Sequence, residues 1–213
     1  MNVGTWNMEG RSAAAQSRLL LQQSCDLWLL TEVPVNWSLP GFQLAPSTAL
    51  MGPRKHWAAI ASREPATQVA DPHPASAAVK VGGVTYVSSI LPWRGCGSGF
   101  PWIGATHAER MNDTLDGLEP FLSRQDEVVW GGDWNQSLQG NEAVGSHAGR
   151  IALRSLIDRL GLWTPTAQLP HRNDVLSSID HIALKAPSAT AWRVVAEAAG
   201  VRLSDHDAYD VAL

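Results

Sequence analysis

The sequence predicts a layered α/β sandwich, and three observations carry that prediction. Short apolar runs of strand character recur along the chain, whereas only three stretches repeat apolar residues at helical spacing. Several of those runs end on Asp, Glu, Asn or His, the side chains that hold metals and move protons. No repeat, low-complexity tract or linker divides the 213 residues, so one domain, 1–213, is expected.

Composition narrows the class. At 45% hydrophobic and 17% charged, the chain reads as a packed globule. Net charge is −4, with a pI near 5.9, so the chain carries no overall basic footprint for wrapping duplex nucleic acid. Bound metal ions would add local positive charge that this count omits. Cys25 and Cys96 are too few for a disulfide framework or a four-thiolate zinc site and are expected as free thiols. The N-terminus lacks a basic segment leading into an apolar stretch, and no apolar run approaches ~20 residues. A cytoplasmic protein with no membrane segment is the expectation, and no obligate protein partner is readable from the sequence.

The elements follow in order. Residues 2–8 read as a strand, 11–23 as a helix, and Leu27–Thr31 as a strand buried on both faces. Strands are expected at 42–45, 57–62, 77–81 and 84–91, with Gly82-Gly83 as a hairpin turn between the last two. Residues 64–75, rich in Pro and Ala, read as a loop, and the glycine-rich 95–104 as a mobile rim element. The rim loop lacks the Gly-Lys-Ser/Thr of a phosphate-cradling loop. Thr106 can cap a helix running to about Ser123, with Met111, Leu115, Leu118 and Leu122 on one side. A strand at 127–130 and a helix from 147 to 160, stopped by Gly161, come next. Strands at 178–184, 191–198 and 208–213 close the chain. Trp28, Trp57, Trp130 and Trp192 fall within apolar strands and are expected in the core.

Five short pieces place polar groups at strand ends: Thr5-Trp6-Asn7-Met8, Leu30-Thr31-Glu32, Gly131-Gly132-Asp133-Trp134-Asn135, Ser178-Ile179-Asp180-His181 and Leu203-Ser204-Asp205-His206. Such groups are costly to bury unless paired or metal-bound. If 131–135 is extended, Asp133 and Asn135 share a face and Trp134 points the other way. Alternation likewise separates Asp180 from His181, so His181 is left out of the site.

In this order the five pieces resemble the endonuclease/exonuclease/phosphatase superfamily, over nearly the whole chain from Asn7 to His206. The resemblance implies a four-layer α/β sandwich of two packed mixed or antiparallel sheets flanked by helices. It also implies hydrolysis of a phosphoester with Mg2+ or Mn2+, which neutralises the phosphate and activates a water. Glu32 would be the principal metal ligand, with Asn7 and Asp205 nearby; hard cations take oxygen donors. His206 would contact the scissile phosphate and be oriented by Asp180. Asp133 would orient or deprotonate the water, and Asn135 would hold the water or the phosphate. Whether Asp133 or His206 is the general base stays open at this point.

One position departs from the pattern. The superfamily places Tyr, His or Asn at the end of the strand matching 84–91, and Ile90 falls in that slot here. Arg94 is a candidate phosphate contact in its place, and Arg172, in the polar loop before Asp180, is another. Trp93, Trp102 and Trp134 are candidate platforms for stacking bases. His107, His147 and His171 have no partner at metal-ligand spacing. The leading expectation is a nuclease acting on DNA or RNA, with nucleic acid as partner. The alternatives are a phosphatase or phospholipase-type enzyme using a small-molecule or lipid-headgroup phosphate, and a catalytically impaired binding protein on the same fold.

Overall fold

The computed structural model describes residues 1–11, 14–140, 144–172 and 175–213. In chain order its first elements are β1 (Asn2–Asn7), α1 (Ala14–Gln22), β2 (Leu27–Pro34), β3 (Gln43–Pro46), β4 (Leu50–Gly52) and β5 (Lys55–Ser62). Next come β6 (Thr67–Gln68), β7 (Ser76–Val81), β8 (Val84–Ser89), α2 (His107–Leu122), β9 (Val128–Asp133) and α3 (His147–Arg159). The chain ends with β10 (Asp180–Leu184), β11 (Thr190–Val194), β12 (Glu197–Ala198), β13 (Val201–Arg202) and β14 (Ala208–Ala212). Residues 12 and 13 of the expected first helix lie outside the described residues.

Two mixed sheets form the centre. One runs β11-β14-β1-β2-β5-β3, with β4 also paired to β5; the other runs β10-β9-β8-β7-β6. β1 pairs with β2 in parallel, as β8 does with β9, and the other neighbours are antiparallel. Val3, Leu29 and Ile60 of the first sheet pack against Val79, Tyr86 and Ile182 of the second. The outer face of the first sheet, with Trp6, Trp28 and Leu30, meets Leu19 and Leu20 of α1. The outer face of the second, with Val87 and Trp130, meets Met111 and Leu118 of α2 and Leu153 of α3. The expected four-layer sandwich is what forms, because central strands such as β1, β2, β5, β8 and β9 carry buried residues on both faces.

The helix ends follow their sequence signals. Thr106 Oγ1 accepts from the Glu109 N–H while the Glu109 carboxylate accepts from the Thr106 N–H, a reciprocal cap at the start of α2. Ser146 caps α3 by accepting from the Gly149 N–H. Trp192 departs from expectation: β11 is an edge strand, and Trp192 is 38% exposed rather than core. No helix among the described residues is long and apolar enough to cross a membrane.

Candidate active site

Strand alternation brings the polar groups together. Val3 and Asn7 share a face of β1, and Val3 lies between the sheets, so Asn7 enters the same gap at the strand's end. In β9 the intersheet face carries Val129 and Asp133; in β10 it carries Asp180, Ile182 and Leu184. Asp180 sits directly across from Asp133 in the ladder. His181 falls on the opposite face, where it packs on Trp134 and its Nε2 lies 2.9 Å from the Gln136 carbonyl oxygen. Burial pushes His181 down to about 4, so it is a neutral core histidine on the face away from Asp180.

Glu32 requires a second device. Alternation from Leu29 and Trp28 would turn it toward α1, but its φ of 52° re-aims the side chain. A non-glycine residue in that region is uncommon and strained. Glu32 Oε1 accepts from Asn7 Nδ2 at 3.3 Å, and the same amide donates to Asp133 Oδ2 at 2.9 Å. Asn7 thus bridges two carboxylates contributed by different sheets. On the other side of Glu32, Lys55 Nζ donates to Oε2 at 2.6 Å. Gly10, at φ 67°, leaves room for the Lys55 stem; a Cβ there would stand 2.3 Å from Lys55 Cδ.

The end of β9 departs from the extended reading. The strand stops at Asp133, and Asn135 takes a φ of 53°. Its N–H donates to Asp133 Oδ1 at 3.1 Å, and its side-chain amide donates to the Leu91 carbonyl at 3.1 Å. Asn135 therefore positions Asp133 and ties β9 to the end of β8. Gly132, at φ 122°, passes so close to that strand that a Cβ would lie 2.2 Å from the Ser89 carbonyl oxygen. The second glycine of Gly-Gly-Asp is a condition for placing Asp133.

His206 Nδ1 lies 2.7 Å from Asp180 Oδ2, with Asp180 fully buried, and its Nε2 is 3.8 Å from Asp205 Oδ1. Burial opposes charge on His206. The Asp180 and Asp133 carboxylates, with the Asp180 hydrogen bond, overcome it and hold the imidazolium up to about 10. Burial pushes the Asp133 carboxyl the other way, up to about 7, against the pull of His206 and the Asn7 and Asn135 donors. Ser204 locks this loop to β1: its Oγ donates to the Asn7 carbonyl at 2.7 Å and accepts from the His206 N–H at 3.1 Å. Asp207 anchors the far side by an ion pair with Arg202 and by accepting from the Ala196 N–H at 2.9 Å.

The remaining candidates are placed less centrally. Asp205 is on the rim with its side chain 53% exposed, and its N–H donates to Glu9 Oε2 at 3.0 Å. Arg94 and Arg172 are both exposed. Trp134 is fully buried, 4.3 Å centroid to centroid from Trp130, and Trp102 is buried against Trp57 and His73. Neither offers an open face to a base, which corrects the stacking expectation for both. Trp93 is half-buried, edge-on to Trp102. The loop expected as a mobile rim is instead anchored through buried Cys96 and Trp102. Ile90 packs with Trp57, Cys96 and Trp102, so the departing slot presents no polar group.

Two residues that the sequence reading passed over belong here. Lys55 gave no signal, being set beside Glu32 only by the pairing of Pro34 with Lys55 across β2 and β5. His171 was set aside for want of a partner at ligand spacing. The fold brings it to Asp180 and His206, and its ring lies edge-to-face on His206 at 5.2 Å. His107 stays structural, its ring nitrogens 2.8 Å from Ser146 Oγ and 2.9 Å from the Pro92 carbonyl oxygen.

A divalent cation fits one part of this cluster. Glu32 Oε2 already attracts the Lys55 ammonium, so the position favours positive charge, and its donors are hard oxygens of the kind Mg2+ and Mn2+ prefer. The Asn7 oxygen accepts from the Glu9 N–H at 2.9 Å and faces away from the two carboxylates.

Comparison with known proteins agrees with this fold. The Endonuclease/Exonuclease/phosphatase family profile matches residues 4–206. Among curated proteins none matches in sequence. An AP endonuclease from Archaeoglobus fulgidus superposes with a TM-score of 0.73 at 16% identity, over 100% of this chain and 98% of that one. A 3'-5' exonuclease, NExo, from Neisseria meningitidis gives 0.72 at 18% identity, over 100% and 99%. A structure of 3' phosphatase NExo from Neisseria bound to a product DNA hairpin gives 0.73 at 19% identity, over 100% and 98%. Members of the family are phosphoester hydrolases that generally depend on divalent metal ions. With the profile covering nearly its whole length, the chain belongs to the Endonuclease/Exonuclease/phosphatase family.

Proposed function

We propose that this chain is a nuclease that hydrolyses DNA or RNA phosphodiesters with Mg2+ or Mn2+ by in-line attack of a water. The observation that carries the reading is the chain of contacts Glu32–Asn7–Asp133 set beside the buried Asp180–His206 pair. The metal, when bound at Glu32 with Asn7 and Asp205 near it, supplies charge neutralisation on the phosphate.

The protein's own groups divide the remaining work. Asp180 takes the Nδ1 proton of His206 as a hydrogen bond, which fixes the ring and turns Nε2 outward. The protonated ring then donates from Nε2 to a non-bridging phosphate oxygen. Asp133 holds the attacking water and takes its proton, because its carboxylate is aimed by Asn7 and by the Asn135 N–H. That assignment makes Asp133 the base and His206 the cationic phosphate ligand. Arg94 and Arg172 are proposed as contacts to neighbouring phosphates of a longer strand.

A second reading keeps the same site and changes the ester. One structural relative is described as a 3' phosphatase with a DNA product, and a terminal phosphomonoester can meet the same metal and imidazolium as an internal phosphodiester. The net charge of −4 also suits a short or terminal substrate better than a wrapped duplex. A panel of single-stranded DNA, duplex DNA, RNA, a 3'-phosphorylated oligonucleotide and soluble inositol phosphates, each with Mg2+, Mn2+ or EDTA, separates the two. Internal cleavage or stepwise shortening of a polymer supports the nuclease. Release of inorganic phosphate alone moves the assignment to a phosphatase.

A further inference from the structure

We propose that His171, Asp180 and His206 form a binding site for a borderline transition-metal dication, Zn2+, separate from the Mg2+ or Mn2+ position at Glu32. Each residue offers one ligand atom, and the three atoms all lie within 4.8 Å of one another. Among the described residues this is the one such group of three; Glu32 and Asp205 belong to none. The donor set, two imidazoles and one carboxylate, is the set that catalytic-type zinc sites use, with a fourth position left for water. Imidazole nitrogen favours Zn2+ over Mg2+, whose preference is for oxygen alone.

A second observation points to a ligand. Asp180 Oδ1 and His171 Nδ1 are both buried with no hydrogen-bond partner, in residues 0% and 7% exposed. Two orphaned polar atoms on neighbouring side chains mark a place where something is missing. They are complementary in the way a metal needs, since each has a lone pair to give. Zinc–ligand bonds of about 2.0–2.2 Å place ligand atoms about 3.3 Å apart in a tetrahedron. The His206–Asp180 contact at 2.7 Å must open slightly and His171 must close in. The edge-to-face packing of the two rings, at 77°, leaves that closure to ring rotation.

Binding exchanges a metal for a proton. His206 releases the Nδ1 proton that it donates to Asp180, the proton passes to solvent, and the freed lone pair joins the ion. A ring held in that way is no longer the cation that meets the phosphate. Resting on the functional reading above, Zn2+ therefore inhibits Mg2+-dependent hydrolysis without touching Glu32.

The test uses Co2+ as a spectroscopic stand-in on the full chain, read by visible d–d absorption and by displacement with Zn2+. Wild type is expected to show the band at one equivalent, and millimolar Mg2+ is expected to leave it in place. His171→Ala and the milder His171→Asn are expected to weaken Co2+ binding at least tenfold while keeping the wild-type circular dichroism. In hydrolysis assays, read against each protein's own Zn2+-free rate, both variants need at least tenfold more Zn2+ for half-inhibition than wild type. Absence of the band in wild type, or equal Co2+ affinity in wild type and both variants, overturns the site. The band does not depend on turnover, so a chain that binds Co2+ through His171 yet hydrolyses nothing keeps this site and sinks the functional reading instead.

Discussion

Lys55 places its ammonium 2.6 Å from Glu32 Oε2, filling with a protein cation the side of the carboxylate that faces away from Asn7. A divalent metal at Glu32 competes with that ammonium. Lys55→Met keeps the stem that lies over Gly10 and removes the charge, so it is expected to tighten Mn2+ binding about tenfold, or about 1.4 kcal/mol. Isothermal titration with Mn2+ reads this directly, with Glu32→Ala as the control that removes the ligand. Unchanged or weaker binding in Lys55→Met would show that the two cations do not share the carboxylate.

In the proposed hydrolysis, Asp180 acts through His206 and does not touch the substrate. Asp180→Asn keeps an acceptor for Nδ1 and removes the charge, so the ring stays in place but loses its preference for the protonated form. The expected result is a fall in kcat of about 10³-fold with KM within a few-fold of wild type. A variant with full kcat would remove His206 from the reaction.

Trp134 is a core residue and not a base platform. Trp134→Phe leaves a cavity against Trp130, partly offset by deleting a buried indole N–H that has no acceptor. The net loss is expected at about 1–2 kcal/mol in denaturant unfolding, with KM for oligonucleotides unchanged. A raised KM with unchanged stability would restore the stacking role.

Asp210, paired in β14 with Gly4 and Trp192, supplies a pH signature of its own. Burial pushes its carboxyl from 3.8 up to about 6, against hydrogen bonds from Cys25 and Trp192. The folded state thus holds a proton that the unfolded state has already released. This group's contribution is fully present below pH 3.8 and is lost as pH rises through about 6. The loss amounts to at most about 3 kcal/mol at 1.4 kcal/mol per unit. Asp210→Asn removes the titration, so urea unfolding on either side of that window should show the variant gaining on wild type as pH rises. A constant difference across the window contradicts the buried acid.

Much of the fold was legible because local pattern and tertiary role agree. Apolar strands such as Leu27–Thr31 are buried on both faces, and Thr106 and Ser146 sit at helix starts. The polar groups at strand ends were legible for the same reason, since Asn7, Asp133 and Asp180 share the intersheet face by alternation alone. Where alternation breaks, the sequence was silent: the left-handed backbone at Glu32 and Asn135 re-aims both side chains. Contacts between distant segments were equally hidden. Ser204 reaches Asn7 across 197 positions, Lys55 meets Glu32 through strand pairing, and His171 joins Asp180 from a loop. Trp134 shows a misreading with a physical cause. Its neighbours line the site, but the residue after Asp133 must point to the helix side, into the core.

The most direct test of the central claim is hydrolysis of a labelled oligonucleotide by wild type and His206→Ala, with saturating Mn2+ or with EDTA, after both are shown to be folded. The account predicts cleavage by wild type that EDTA abolishes, and a loss of about 10³-fold or more in His206→Ala. Equal cleavage by the two proteins, or cleavage by wild type that survives EDTA, would contradict it.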